Sequence, residues 1–401
     1  MAQIGNYILY IIMACSVIGA IAAIRNDESE LAQEFMEGLN SIGPIFMAVG
    51  GIMAAAPYLS IFVETVFGPV FGAIGADPSI AATTFIAVDM GGYQLAEALA
   101  STKESWIMAM TTGYMAGATI VFSIPVGLAM LQKKDHKYMA LGVMSGILTI
   151  PVGVFVTTII LALTNASVRG VISTDAEATY QLAFTFGQIM INLVPLIIFC
   201  ALLAIGLRIF PDKMIKGFMV FGKFMDTGIK LVLVFSIVEY FTGFFSTVLG
   251  GWGFDPIIAD SVDQFRALEI AGYIGIMLTG AFPMVYLIKK YLAKPLQALG
   301  QRFGFTALGS AGILAGAANI LALFRIIQDM EAADKVKCIA FSVCAAFLLG
   351  DHLAFTANFQ PTMIIPVMAG KLSAGLLAIA IATKLSVPKA RELEALEKLA
   401  A

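Results

Sequence analysis

Two aspartates lie beside glycines within apolar stretches of this chain. Asp89 is found in AVDMGGYQLAE and Asp351 in LLGDHLAF. Inserting a carboxylate into hydrocarbon costs at least about 2.5–3.5 kcal/mol, so ionisable residues in such settings are candidate functional groups that face a cavity. The two aspartates are therefore the first candidates for a binding site.

The neighbouring glycines predict that the helices break at these points. Gly91 and Gly92 follow Asp89, and Gly350 precedes Asp351. Glycine permits backbone angles that a helix cannot keep. A helix that ends there leaves carbonyl groups without partners, at the negative end of the helix dipole. A carboxylate beside such carbonyls is suited to bind a cation, and unwound backbone at that depth requires a buried or water-lined cavity.

Further polar and aromatic side chains accompany the two aspartates. Tyr93 and Phe355 each follow an aspartate by four residues, which allows a ring face to approach a bound ammonium. Alternatively, these charged residues have only structural roles. Asp351 and Lys371 then form an ion pair, and Asp89 and Glu97 are loop residues at the membrane interface. The remaining candidate site residues are Gln94, His352, Thr356 and Asn358.

The composition is that of a membrane protein. Of 401 residues, 59% are hydrophobic and only 13% are charged, whereas soluble domains carry roughly a quarter charged residues. The net charge of −3 and the absence of a basic–aromatic patch exclude a nucleic-acid partner. The four cysteines lie in apolar stretches without metal-binding spacing, which predicts small buried hydrophobes and no metal or cofactor.

Apolar runs of about 20 residues, the length needed to cross a bilayer, predict an all-α polytopic fold. Two further stretches, 79–102 and 338–358, are interrupted by Asp and Gly and are predicted to be broken or re-entrant. Nine runs predict full spans: 5–24, 43–63, 106–131, 139–164, 183–210, 229–249, 267–288, 306–328 and 361–384.

The loop charges predict an orientation. The basic loops 132–138, 211–218 and 289–304 alternate with acidic or neutral loops, which places the basic loops in the cytoplasm. If both interrupted stretches are hairpins that enter and leave on the same side of the membrane, the C-terminal tail lies in the cytoplasm. If both are single interrupted spans, the tail lies outside the cell. The charge rule favours the hairpins.

The chain is predicted to be one transmembrane transporter domain, 1–401, with a weak internal repeat. Segments 43–131 and 305–384 both run from a helix rich in small residues, through an Asp–Gly interruption, to a helix that contains Ile-Pro-Val. Many secondary transporters consist of two repeats whose broken helices form the substrate site near the midplane of the bilayer. The repeat therefore favours transport.

The sequence resembles the ethanolamine permeases of bacterial ethanolamine-utilisation operons. The stretches that carry the resemblance are DMGGYQLAEALA, GATIVFSIPVGL, YMALGVMSGILTIPVG, FPDKMIKGF, GAFPMVYLIKKYLAKPL, LLGDHLAF and MAGKLSAG, in the family's order. The resemblance implies uptake of ethanolamine across the inner membrane. In that case, Asp89 and Asp351 suit the ammonium, and His352, Asn358, Thr356 or Gln94 suit the hydroxyl.

Several alternatives stay open at the level of sequence. A carrier for another organic cation or for an anion is one, although Lys371 is the clear intramembrane cation. A channel is another. An intramembrane enzyme is the least favoured, because the sequence contains no HExxH or GxSxG motif. Proton coupling through His352, sodium coupling and facilitated diffusion are all compatible with the residues, as is a homo-oligomer.

Overall fold

The structure is a computed structural model that describes residues 2–86 and 91–400. Asp89 lies outside the described residues. Within them the chain is almost entirely helical, with one short antiparallel sheet of β1 (Ser167–Val168) and β2 (Tyr180–Gln181). The prediction of an all-α polytopic membrane protein is confirmed.

The first half of the chain contains eleven helices and a π-helix, Gly113–Ser123, between α8 and α9. The bounds are α1 Ala2–Arg25, α2 Glu30–Asn40, α3 Ile42–Ala54, α4 Ala56–Val66, α5 Gly68–Ala73, α6 Ser79–Phe85, α7 Gly92–Leu99, α8 Lys103–Thr112, α9 Ile124–Met130, α10 His136–Ile147 and α11 Ile150–Leu163.

The second half continues with longer helices and then with short, interrupted ones. The bounds are α12 Phe186–Ile209, α13 Pro211–Thr242, α14 Phe244–Leu249, α15 Ala267–Arg302, α16 Ala307–Ala318, α17 Ile320–Ile326, α18 Ala332–Ala345, α19 Asp351–Phe359, α20 Ile364–Leu385 and α21 Val387–Ala400.

Seven helical segments among the described residues are long and apolar enough to cross a membrane. The predicted span 229–249 corresponds to the second half of α13 and to α14, which are separated by Gly243 at φ +60°. The four cysteines are buried, as predicted. The seven segments are Ile4–Arg25, Glu30–Ala54, Lys103–Met130, Lys133–Leu163, Phe186–Ile209, Ala267–Arg302 and Pro361–Leu385.

The three basic segments lie together on one side of the molecule, here called the basic face. Two of them are not loops as predicted: 211–218 is the start of α13, and 289–302 is the end of α15. Asp135, in loop 132–138, forms an ion pair of 2.6 Å with Lys335 near the start of α18. Lys337 donates to the carbonyl oxygen of Gly304, at the end of the basic segment 289–304. The C-terminal helix α21 also lies on this face, because Glu397 pairs with Lys137 at 2.6 Å.

The non-basic loop 165–180 lies on the other side, here called the outer face. Glu104, near the start of α8, accepts a hydrogen bond of 2.9 Å from the amide of Ala183. Gln360, directly after α19, bonds the backbone of Arg169 in the same loop. The long segment α8–α9 therefore begins at the outer face and ends, at Met130, beside the basic loop.

The first interrupted stretch, 79–102, is a hairpin whose two ends meet at the outer face. The carboxylate of Asp77 accepts from the amide and hydroxyl of Ser79, at the start of α6. Its second oxygen accepts from the amide of Ser101, just beyond α7, at 2.9 Å. Asn192 of α12 fixes Asp77 itself through a 2.7 Å hydrogen bond.

The second interrupted stretch, 338–358, crosses from one face to the other. Its first half, α18, begins beside Asp135 on the basic face, and its second half, α19, ends beside Arg169 on the outer face. One interrupted stretch is thus a hairpin and the other an interrupted span, a combination that neither uniform alternative described. The C-terminal tail lies on the basic face, which is the side that the charge rule favoured for it.

The predicted full span 306–328 is instead a second hairpin. Asn319 is extended (φ −156°, ψ 124°) and separates α16 from α17, whose first turn it caps through Leu321. Thr306, which caps α16, bonds the carboxylate of Asp334 in α18, and Gln328, beyond α17, bonds Gln132 of the basic loop. Both ends of α16–α17 therefore lie at the basic face. The internal repeat stays a prediction.

Candidate functional site

The interruptions of α16–α17 and α18–α19 meet inside the bundle. The amide of Leu349 donates to the carbonyl oxygen of Ala317 at 2.8 Å, and the amide of Phe347 donates to Gly316 at 3.3 Å. A Cβ atom at Gly350 would overlap the carbonyl oxygen of Ala318. Glycine is therefore required at residue 350 by the close approach of two backbones, in addition to any freedom of angle.

Lys371 of α20 is completely buried beside these interruptions. Its ammonium group donates to the carbonyl oxygen of Tyr114 at 2.8 Å. Tyr114 is the second residue of the π-helix between α8 and α9, a rare form that occurs frequently at functional sites. The backbone of this distorted segment thus supplies an acceptor for a buried primary ammonium.

Tyr114 connects this lysine to α19. Its ring stacks on the His352 imidazole with 4.3 Å between centroids and 12° between planes. Its hydroxyl lies 3.0 Å from the Thr356 hydroxyl, which in turn donates to the carbonyl oxygen of His352 at 2.6 Å. We refer to Tyr114, His352, Thr356 and Lys371 as the polar cluster. Asp351, the first residue of α19, has a half-buried side chain at the same interruption.

An aromatic layer separates the polar cluster from the outer face. Tyr93 of α7 stacks on Trp106 at 4.6 Å, and the Phe355 ring meets Tyr93 edge to face at 5.3 Å. Phe355 also stacks on Phe359 at 4.6 Å. The Tyr93 hydroxyl accepts a hydrogen bond of 2.8 Å from the Gln360 side chain.

Polar contacts close the layer on its outer side. Gln360 bonds both the amide and the carbonyl of Arg169, whose guanidinium donates to the carbonyl oxygen of Asn358. Partial burial lowers the pKa of Arg169 below its ordinary value. The Asn358 amide donates to the carbonyl oxygens of Tyr273 and Ala354, both at 3.0 Å.

The structure brings some of the predicted site residues together and places others apart. His352, Thr356 and Lys371 share the polar cluster, with Phe355 and Tyr93 next to it. Gln94 instead donates to the carbonyl oxygen of Phe265. Glu97 lies near the outer end of α7, partly exposed, in a 3.1 Å ion pair with Lys103. Gly91 and Gly92 are buried at the start of α7.

Four residues of this region were not among the sequence candidates: Tyr114, Trp106, Arg169 and Gln360. A polar residue directly before Pro361 was a usable signal for Gln360. Tyr114 gave none, because nothing in TTGYMAGATIVFS distinguishes a π-helix from an ordinary span. Among the described residues, no group of three or more His, Cys, Asp or Glu side chains is placed to hold a metal ion.

Fold and site together define a multi-pass α-helical membrane protein whose interrupted helices surround a buried polar cluster. The chain belongs to the family described as ethanolamine utilisation protein, EutH, whose model matches residues 4–385. Family membership confirms the resemblance inferred from the motifs. It also places the protein, in bacteria, in the inner membrane.

Curated relatives cover nearly the whole chain. A probable ethanolamine permease EutH of Listeria monocytogenes is 38% identical over 382 residues, which are 94% of this chain and 93% of the relative. The protein of the same name in Escherichia coli is 36% identical over 96% of both chains. The uncharacterized protein YxeR of Bacillus subtilis is 32% identical over 94% of both. No solved structure matches this chain.

Proposed function

We propose that this protein is a carrier, not an enzyme, that takes protonated ethanolamine into the cell through a midplane site at the broken helices. The support from comparison is that three relatives at 36–38% identity are named probable ethanolamine permeases. The observation that carries the proposal is the polar cluster, because it lies where two interrupted segments meet inside the bundle.

The chemistry of the cluster suits a small amino alcohol. An alkyl amine with a lysine-like pKa of about 10.4 is charged at neutral pH, so it needs oxygen acceptors in place of its hydration shell. Carbonyl groups at the interruptions and the carboxylates of Asp89 and Asp351 provide such acceptors in this proposal. The hydroxyls of Tyr114 and Thr356 then serve the substrate hydroxyl.

The charges favour a cation over an anion. In this proposal the carboxylates of Asp89 and Asp351 supply two negative charges near the ammonium of Lys371, a balance that suits a substrate cation better than an anion. A membrane potential that is negative inside contributes about 2.3 kcal/mol per 100 mV to the entry of a single positive charge. Uptake without a coupling ion is therefore sufficient for this substrate.

Uptake of labelled ethanolamine at acidic external pH tests the proposal. We expect Asp89→Asn or Asp351→Asn, or both, to abolish uptake while membrane insertion stays normal. Asp226→Asn is the matched control, because Asp226 is an exposed partner of Lys230 on α13 and should not affect transport. Normal uptake in both site variants would overturn the site assignment, although not the choice of substrate.

The substrate and the carrier mechanism need separate measurements. Unlabelled ethanolamine should compete with the label, and succinate should not. In proteoliposomes, an outward gradient of unlabelled ethanolamine should drive transient accumulation of the label, because a carrier exchanges substrates whereas a pore does not. Competition by succinate alone would point to an anion carrier, and the absence of counterflow would point to a channel.

A further inference from the structure

A large groove opens on the basic face, remote from the polar cluster. It has a volume of about 1040 Å³ and lies between α10, α12, α13 and the start of α21. The candidate site uses none of these residues. Its lining has two distinct parts: a rim of charged side chains and an apolar floor.

The rim is strongly cationic. It contains five lysines and one arginine, with His136 beside them, and Asp212 is the acidic residue of the lining. Lys137 and Lys389 are already paired with Glu397 and Glu392. The other four basic side chains are exposed and take part in none of the ion pairs found among the described residues: Lys133, Lys134, Arg208 and Lys216.

The floor of the groove extends toward the middle of the membrane. Leu141 and Met144 of α10 line it, followed by Leu148 directly after that helix, and Ile205 lines it from α12. Leu148 is twelve residues beyond His136, or about 18 Å at 1.5 Å per residue. The groove therefore offers positive charge at the depth of the headgroups and an apolar channel at the depth of the acyl chains.

We propose that this groove binds an anionic phospholipid of the inner leaflet, with the phosphate held by the rim and the acyl chains against the floor. Basic pockets between membrane helices on the cytoplasmic side are suited to anionic headgroups. A small ammonium substrate is repelled by such a rim, so the inference does not depend on the proposed function. A soluble anion would bind the charged rim but would make no contact with the long apolar floor.

The test uses the full chain, purified in detergent and stripped of lipid. Cardiolipin, phosphatidylglycerol and phosphatidylcholine are titrated while bound lipid is counted by native mass spectrometry. We expect the two anionic lipids to bind and phosphatidylcholine to bind much more weakly. The triple variant Lys133→Gln, Lys134→Gln, Arg208→Gln should bind the anionic lipids about 100-fold more weakly, from contributions of about 1 kcal/mol per charge.

Two controls make the result specific. The variant Lys289→Gln, Lys290→Gln, Lys294→Gln removes three charges from α15 on the same face, outside the groove, and should bind as the parent does. A tryptophan at Met144 should be quenched by cardiolipin with brominated acyl chains. Equal losses in both triple variants, or no quenching at Met144→Trp, would overturn the proposal. Inorganic phosphate that displaces all of the lipid would show a soluble-anion site instead.

Discussion

Thr356 has the most central position in the polar cluster, because its hydroxyl joins two elements that are distant in sequence. It donates within α19 to His352 and lies beside the hydroxyl of Tyr114, 242 residues away. Under the proposed function, the Thr356 hydroxyl also bonds the substrate hydroxyl. Its contribution to transport should therefore exceed its contribution to stability.

Thr356→Val should lower the rate of ethanolamine uptake about fivefold to tenfold, because it removes a hydroxyl while it keeps the shape of the side chain. One lost hydrogen bond costs about 0.5–1.5 kcal/mol. Thr158→Val is the matched control: Thr158 is equally buried, and its hydroxyl bonds only the carbonyl oxygen of Val154 in its own helix. The hypothesis fails if both variants retain parental uptake.

At the scale of elements, the two hairpins and the interrupted span are positioned by polar side chains at their ends. Asp77 closes α6–α7 at the outer face, and Asp334 joins the starts of α16 and α18 at the basic face. Between these ends, the backbones of residues 316–318 and 347–350 are in direct contact. The candidate site thus lies where several short helices end inside the bundle.

The hairpin α16–α17 predicts that Arg302 and Asp329 lie on the same side of the membrane. Both side chains are exposed, so Arg302→Cys and Asp329→Cys should react with a membrane-impermeant maleimide only from the cytoplasmic side. The native cysteines are buried and give little background. An uninterrupted span over 306–328 would instead place the two residues on opposite sides, with only one of them reactive from outside.

Gly350→Ala should destabilise the protein by about 1–3 kcal/mol, the usual cost of overpacking, because the new Cβ overlaps the Ala318 carbonyl. Gly272→Ala in α15 is the control, since a Cβ there meets nothing within 4 Å. The midpoint of thermal unfolding in detergent should fall for the first variant and stay level or rise for the second. Equal midpoints would contradict the close approach of the two interruptions.

At the scale of the whole molecule, α21 connects the C-terminus to two other elements on the basic face, α10 and α18. Glu397 accepts from Lys137 and from the Tyr138 hydroxyl, while Glu394 accepts from the amide of Ala332. The hydrogen bond from Lys137 is the main cause that lowers the pKa of Glu397 below its ordinary value. The ionised form of Glu397 therefore stabilises the docked tail.

Docking of α21 should weaken in acid. Because the pKa of Glu397 is lower in the folded state, its contribution is complete above the unfolded value of about 4.3 and is lost as the pH falls through the folded value. Limited proteolysis of the tail in detergent should accelerate in that range. Glu397→Gln should be cleaved faster at neutral pH and lose much of the acid dependence; a tail with the parental profile would contradict this role.

The sequence alone specified the membrane environment, the helical class and the family, and it predicted that the basic segments share one side. These properties follow from composition, from the length of apolar runs and from motifs, all of which are local along the chain. Lys371, His352 and Thr356 were also candidates from sequence, because a polar side chain in an apolar run is visible without knowledge of its neighbours.

Only the tertiary structure decided that 306–328 is a hairpin, that 338–358 crosses the bundle, and that the Tyr114 carbonyl receives the Lys371 ammonium. Each depends on partners far apart in sequence, up to 257 residues in the last case. Asn319 breaks the segment at a point with no charged residue beside it; Arg325, the charged residue of α17, is six positions further on. Periodicity and composition describe how a segment meets its solvent, whereas the path of a broken helix is determined by the side chains that its two ends find across the fold.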